Sequence, residues 1–166
     1  MHMTTRAYNR LRRRVARATG RKLPKAPSLP KGVNANEARF NRMILGGRGK
    51  FEPVKIEITN VNRRVYTPDF FAALSLDMGG GEFVEAWPLV EVKGGYKLQS
   101  EDRARLAWEI AAEQKAWGKV VFVWARWRPR GKCYECEAWG WKGGTVARAD
   151  CRTTEDFAKL LKGVVR

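Results

Sequence analysis

Two short strings decide how this chain is read: YTPDF at Tyr66–Phe70 and LVEVKGG at Leu89–Gly95. Leu89–Lys93 reads as a strand that Gly94-Gly95 release. Successive strand side chains face opposite sides, so Glu91 and Lys93 project together while Val92 turns toward a core. A helix is predicted next, from Ser100 as N-cap to about Trp117, with Leu106, Ile110 and Trp117 as its apolar stripe and Gly118 as its stop. Lys119–Trp124, KVVFVW, is a continuous β-branched apolar run, the pattern of a central strand covered on both faces. Strand, helix, strand in that order is a crossover unit and requires parallel pairing. The expected class is α/β, a mixed central β-sheet flanked by helices.

Working outward, NANEARFNRMIL at residues 34–45 predicts a helix capped by Asn34 or Asn36 and stopped by Gly46-Gly47, with Phe40 and Ile44 inward. Lys50–Asn60 alternates at Val54, Ile56 and Ile58 and reads as a half-buried strand. A turn at Asn62–Arg64 leads to a strand through Tyr66–Leu76, a glycine-rich hairpin tip at Met78–Gly81, and a strand from Glu82 interrupted at Pro88. Those glycines are not followed by GK[ST], so no P-loop and no nucleotide cofactor are expected. Beyond Trp124, Arg126–Lys132 reads as a basic turn and Cys133–Trp141 as a strand. A last helix starts at Thr153 or Thr154 and buries Phe157, Leu160 and Leu161.

The 166 residues and 44% hydrophobic content suit one compact domain. Net charge is +16 and unevenly spread: residues 1–31 hold ten Lys or Arg and no acid. We read 1–31 as a basic N-terminal arm with a Pro-rich linker, and 32–166 as the folded domain. Such an arm favours a polyanion, DNA or RNA, over a solubilising tail, a transit peptide or an anionic-membrane anchor. No apolar run is long enough to span a bilayer, and the basic start lacks the apolar stretch of a secretory signal. Three cysteines cannot all pair within one chain, which favours a reducing, cytoplasmic setting. Cys133, Cys136 and Cys151 lack a fourth zinc ligand. His2 is the only histidine, which argues against a Ser-His-Asp triad and against a histidine general base.

The chemistry centres on Asp69, Glu91 and Lys93. If the strand beside Glu91 supplies Asp69, two hard oxygen ligands and one ammonium converge. That set suits Mg²⁺, with Mn²⁺ as substitute, and the phosphate that the ion activates. Glu37, in the first turn of a helix, either favours the helix dipole or points into the same site. The competing reading is a surface ion pair of Glu91 with Lys93 or Lys97, of small energetic value. Arg126, Arg128 and Arg130 interleave with Trp124 and Trp127, either as a DNA-contacting ribbon or as tryptophans inside with arginines outside. Arg12, Arg13, Arg14, Lys97 and Arg103 complete the expected nucleic-acid contacts.

The series Glu37, Pro68-Asp69, Glu91-Val92-Lys93 resembles the PD-(D/E)XK nuclease superfamily. YTPDF, VEVKG and the Glu101-Asp102-Arg103 step are similar to the Holliday junction resolvase-like phage nucleases of the endonuclease I type. The likeness covers about Asn34 to Trp124, with a longer hairpin between Asp69 and Glu91. It implies a restriction-endonuclease-like core and a Mg²⁺-dependent endonuclease, structure-selective on branched DNA; a homodimer is expected as well, because two sites can cut two strands symmetrically and two-fold assemblies are the commonest. Asp69 and Glu91 would be the metal carboxylates, the Val92 carbonyl a further ligand, and Lys93 the residue that handles water or transition-state charge. Glu37 would match an upstream helix glutamate, and Glu52 another acid of uncertain register. The alternatives are a nuclease of other specificity, restriction-like or end-processing, and a catalytically inactive DNA-binding protein.

Overall fold

The computed structural model describes residues 32–58, 65–96, 101–140 and 146–165. All the elements belong to the unit that begins at Val33. The basic arm with Arg12, Arg13 and Arg14, the turn at Asn62–Arg64, Lys97 and the Ser100 cap lie outside the described residues.

Among these residues the chain is α/β: a mixed sheet of seven strands, a two-stranded sheet and three helices. The predicted crossover forms its spine. Strand β6 (Glu82–Lys93) leads through helix α2 (Glu101–Lys115) to strand β7 (Val120–Arg128), and β6 and β7 pair in parallel with Glu91 beside Trp124 and Lys93 beside Arg126. Strands β8 (Cys133–Trp139) and β9 (Val146–Cys151) continue the sheet antiparallel. On the other side lie β4 (Phe70–Phe71) and then β1 (Lys50–Phe51), while β5 (Leu74–Gly79) forms a hairpin with the first half of β6. Strand β9 is not anticipated from the sequence, because Val146–Cys151 alternates small, charged and polar residues.

Three expected strands come out differently. Lys50–Asn60 is not one strand but β1 and a separate β2 (Ile56–Glu57), which pairs with β3 (Val65–Tyr66). Glu52 takes a positive φ of 40° and Pro53 cannot donate to a ladder, so the chain turns out of one sheet into the other. The Tyr66–Leu76 run breaks in the same way at Pro68-Asp69 and after Phe71. In contrast, β6 runs unbroken through Pro88. Its partner changes there from β5 to β4, so the missing N–H falls where no ladder bond is required, while its carbonyl still accepts from the Ala72 amide at 3.2 Å.

The sheet is covered on both faces. One face packs Val90, Val92, Val121, Val123, Tyr134 and Cys136 against helix α1 (Ala35–Met43) and helix α3 (Thr154–Lys162) through Phe40, Ile44, Phe157 and Leu161. Asn34 and Thr153 cap these helices, each with a reciprocal capping box from Glu37 or Asp156. The other face packs Leu89, Phe122 and Trp124 against Trp108, Ala111 and Ala112 of α2. Of the expected stripe, Ile110 packs against this core, while the other two members do not. Leu106 is 52% exposed and Trp117 69% exposed, because the alanine side of α2 lets the helix lie closer to the sheet. The same alternation runs along β6: Val90 and Val92 go to the first core, leaving Leu89, Glu91 and Lys93 on the α2 face.

Phe40 stands edge-on to both Tyr134 and Phe157, at 5.0 and 5.9 Å between ring centres. Phe40→Ala should therefore destabilise the domain by about 3–5 kcal/mol. Urea unfolding of the variant checks this, with Val54→Ala, on the exposed stretch between β1 and β2, as the near-neutral control.

Candidate functional site

The site forms where β6 ends. Strand β4 is only two residues long, with Phe70 opposite Val90. Extending that register by one residue puts Asp69 opposite Glu91. Pro68 and Asp69 leave the ladder at that point, so a side chain takes over from the backbone: Asp69 Oδ2 accepts from the Val92 amide at 2.7 Å. A carboxylate from one strand is thus fixed against its neighbour, beside the Glu91 carboxylate.

Glu91 is 6% exposed on the α2 face, and its Oε1 is ion-paired with Lys93 Nζ. The Lys93 ammonium also lies 5.3 Å from the centre of the Trp124 ring. The pair is largely buried, so it is not the low-value surface bridge of the competing reading. Burying two charges costs several kcal/mol per ion, which the pairing only partly offsets. The second oxygen of Glu91, Oε2, is buried without a hydrogen-bond partner among the described residues, as is the hydroxyl of Tyr66. Each such orphan costs roughly 1–3 kcal/mol.

Asp69 is strongly perturbed. Burial, then the charge of Glu91, push its carboxyl up to about 7, against the Val92 hydrogen bond and the Lys93 charge, which lower it. Burial and Glu91 also raise the Tyr66 phenol well above its ordinary range. Two carboxyls of which one resists ionisation, with an unpartnered oxygen between elements, form an electron-rich pocket suited to a hard cation. Asp69 and Glu91 could hold such an ion. Among the described residues no three His, Cys, Asp or Glu side chains are arranged to hold a metal by themselves, so a cation here would rely on backbone or water for its remaining ligands.

Glu37 is the sequence-predicted residue whose placement changes most. It is buried, and its charge acts on Asp69, Glu91 and Lys93. Yet both its oxygens go to Asn34, Oε2 to the amide at 2.9 Å and Oε1 to the side-chain nitrogen. The capping box and the site compete for one side chain, and here the cap holds it. Burial comes first among the causes that raise its pKa. Glu52 lies exposed at the bend after β1, its amide donating to the Asp69 carbonyl at 2.9 Å. It supports the Asp69 backbone rather than the pocket.

The expected cationic ribbon is also altered. Arg126, next to Lys93 on the sheet, is half-buried and ion-paired with Glu101 at the start of α2. Arg128 pairs with Glu135, and Arg105 bridges Glu109 and Glu137. Apart from Glu109, these groups line a cleft of about 470 Å³ together with Trp124. Its four arginines, Arg148 among them, face Glu101, Glu135, Glu137 and Asp102, so the cleft is not a purely positive groove. Arg103 and Arg130 are exposed. Trp124 is buried as the inward reading expects. Gly95 has a packing reason: an added Cβ would meet the Pro129 side chain at 2.9 Å. Cys133, Cys136 and Cys151 are buried free thiols, with Cys136 against Cys151. No described helix is long and apolar enough to cross a membrane.

The YTPDF pattern alone assigns Tyr66 no role. Its position three residues before Asp69, where the chain must leave a strand, is the signal in the sequence. Comparison with family models, with curated proteins and with solved structures finds no match to this chain.

The Asp69 shift has a sign that can be tested. Its folded pKa lies above the unfolded value, near 3.8. Between about pH 4 and 7 the folded chain therefore holds a proton that the unfolded chain has lost, and metal-free stability falls as pH rises through that window. Asp69→Asn keeps an acceptor for the Val92 amide and removes the titration. With chelator present, the variant should lose this pH slope and exceed the parent at pH 8 by at least about 1 kcal/mol. Urea unfolding at pH 5 and pH 8 measures it; identical slopes would refute the assignment.

Proposed function

We propose that this protein is a Mg²⁺-dependent endodeoxyribonuclease of the PD-(D/E)XK type with a restriction-endonuclease-like core, acting on branched DNA as a homodimer. The observation that carries this reading is the Asp69–Val92 hydrogen bond, which fixes a half-buried carboxylate beside the buried Glu91 with Lys93 at hand. The location also fits: the groups gather at the carboxyl ends of the parallel strands β6 and β7, where α/β sheets usually place ligand sites.

In this reading Asp69, Glu91 and the Val92 carbonyl hold the cation, and Glu37 adds its charge from the first turn of α1. A bound Mg²⁺ supplies Lewis-acid polarisation of the phosphate and a water of lowered pKa. The chain's own residues do the rest. Lys93 exchanges Glu91 for a phosphate oxygen and neutralises the charge that builds on it in the transition state. The buried Trp124 and the half-buried Arg126–Glu101 pair limit the access of bulk water to the pocket, which strengthens each of these interactions. The exposed Arg103 and Arg130, with the basic arm, attract the sugar-phosphate backbone. Phosphodiester hydrolysis then adds water across a P–O bond.

A second reading is a DNA-binding protein without catalysis, and the engagement of Glu37 by its own cap favours it. One assay separates the readings: a synthetic four-way junction and a matched linear duplex, each incubated with protein and Mg²⁺ or Mn²⁺. The primary proposal predicts junction cutting, with Asp69→Asn still binding DNA but cleaving at least about 10²-fold more slowly. Equal cutting of both substrates indicates a nuclease of other specificity. Binding without any cutting establishes the inactive reading.

A further inference from the structure

Among the described residues only three buried side-chain polar atoms lack a hydrogen-bond partner, and two of them, the Tyr66 hydroxyl and Glu91 Oε2, belong to neighbouring groups. The third is the indole nitrogen of Trp108. Tyr66 is 4% exposed; its ring packs against Phe122 at 6.2 Å between centres, within the core that also holds Leu89, Ile58 and Trp108. A phenylalanine would serve that packing equally well. The hydroxyl is therefore the part of the side chain that packing leaves unexplained. It is a donor buried against the Glu91 carboxyl, near enough that a hydrogen bond between the two stands, after burial and the Glu91 charge, among the causes that raise the phenol's pKa, although neither Tyr66 Oη nor Glu91 Oε2 has a partner of full hydrogen-bond geometry among the described residues.

The surroundings give that donor a use. Glu91 Oε1 is held by Lys93. Under the proposed function, on which this inference rests, Lys93 must turn to the phosphate, and Glu91 then loses the ammonium on Oε1 while it has to present an oxygen to the cation. A carboxylate with no donor on either oxygen can rotate freely about its terminal bond. YTPDF supplies both remedies from one short segment: Asp69 from the side, on the Val92 amide, and Tyr66 from within the core.

We infer that Tyr66 is a positioning residue for Glu91: its buried O–H donates to Oε2 when the site is loaded, fixing the carboxylate plane for the cation. Groups that orient metal ligands in this manner typically change metal affinity or activity about 10- to 100-fold when removed. Tyr66→Phe deletes the hydroxyl and keeps the ring, so the fold is expected to persist.

The test is Mn²⁺ titration of the full chain without DNA, by calorimetry or by the paramagnetic signal of the free ion, with the thermal midpoint of each metal-free protein as a second readout. The inference predicts that wild type binds Mn²⁺ and that Tyr66→Phe binds it at least 10-fold more weakly, while the metal-free midpoint is unchanged or higher. A structural role would instead lower the midpoint and leave the Mn²⁺ affinity alone, which overturns the inference. Equal affinity in the two proteins with equal midpoints overturns it as well, and leaves the nuclease reading standing. A wild type that binds no Mn²⁺ overturns both.

Discussion

The candidate site depends on one hydrogen bond, from the Val92 amide to the Asp69 carboxylate at 2.7 Å. At this edge the two-residue strand β4 runs out while β6 continues. A backbone N–H left bare there would cost free energy unless something accepted from it. Asp69 completes the ladder with a side chain, and so the need to finish a sheet edge places a carboxylate beside Glu91. Charge repulsion and burial oppose the arrangement, as the raised Asp69 pKa records. The rest of the sheet over-determines the geometry: Val90 and Val92 are locked in one core and Leu89 in the other, which leaves Glu91 no other direction to face.

Charge around the pocket is partitioned by the register of the sheet. Parallel pairing sets Lys93 beside Arg126, and two cations at that spacing would compete for Glu91. The first residue of α2, Glu101, takes Arg126, and Lys93 keeps Glu91. Glu137 does the same for Arg105 one strand further out. A chain with a net charge of +16 thus builds a balanced interior cleft and keeps its uncompensated charge elsewhere, much of it in residues 1–31. On the proposed function, long-range attraction of a polyanion and local chemistry at a cation are physically separate tasks that would fall to different segments.

Much of this architecture was legible before any coordinates. The apolar KVVFVW run and the glycines after Lys93 announced a crossover, and strand periodicity put Glu91 and Lys93 on one face. What escaped the reading was set by tertiary context. Pro88 looks like a strand breaker, yet it sits where the pairing partner changes. Leu106 and Trp117 looked like the core stripe of α2, but small alanines give closer packing and win the buried face. Glu37 carried two plausible roles, a cap and a ligand, and spacing alone could not show that both oxygens go to Asn34. The two-residue strands β1 to β4 are too short to leave a periodic signature.

The central claim is that Asp69 and Glu91 share a divalent cation. Crystals soaked in Mn²⁺ test it most directly through anomalous difference density. The account predicts a single strong peak bridging the Asp69 and Glu91 carboxylates, with the Val92 carbonyl in contact. Manganese bound elsewhere on the chain, or no peak between these two side chains in a protein that still cuts DNA, would contradict it.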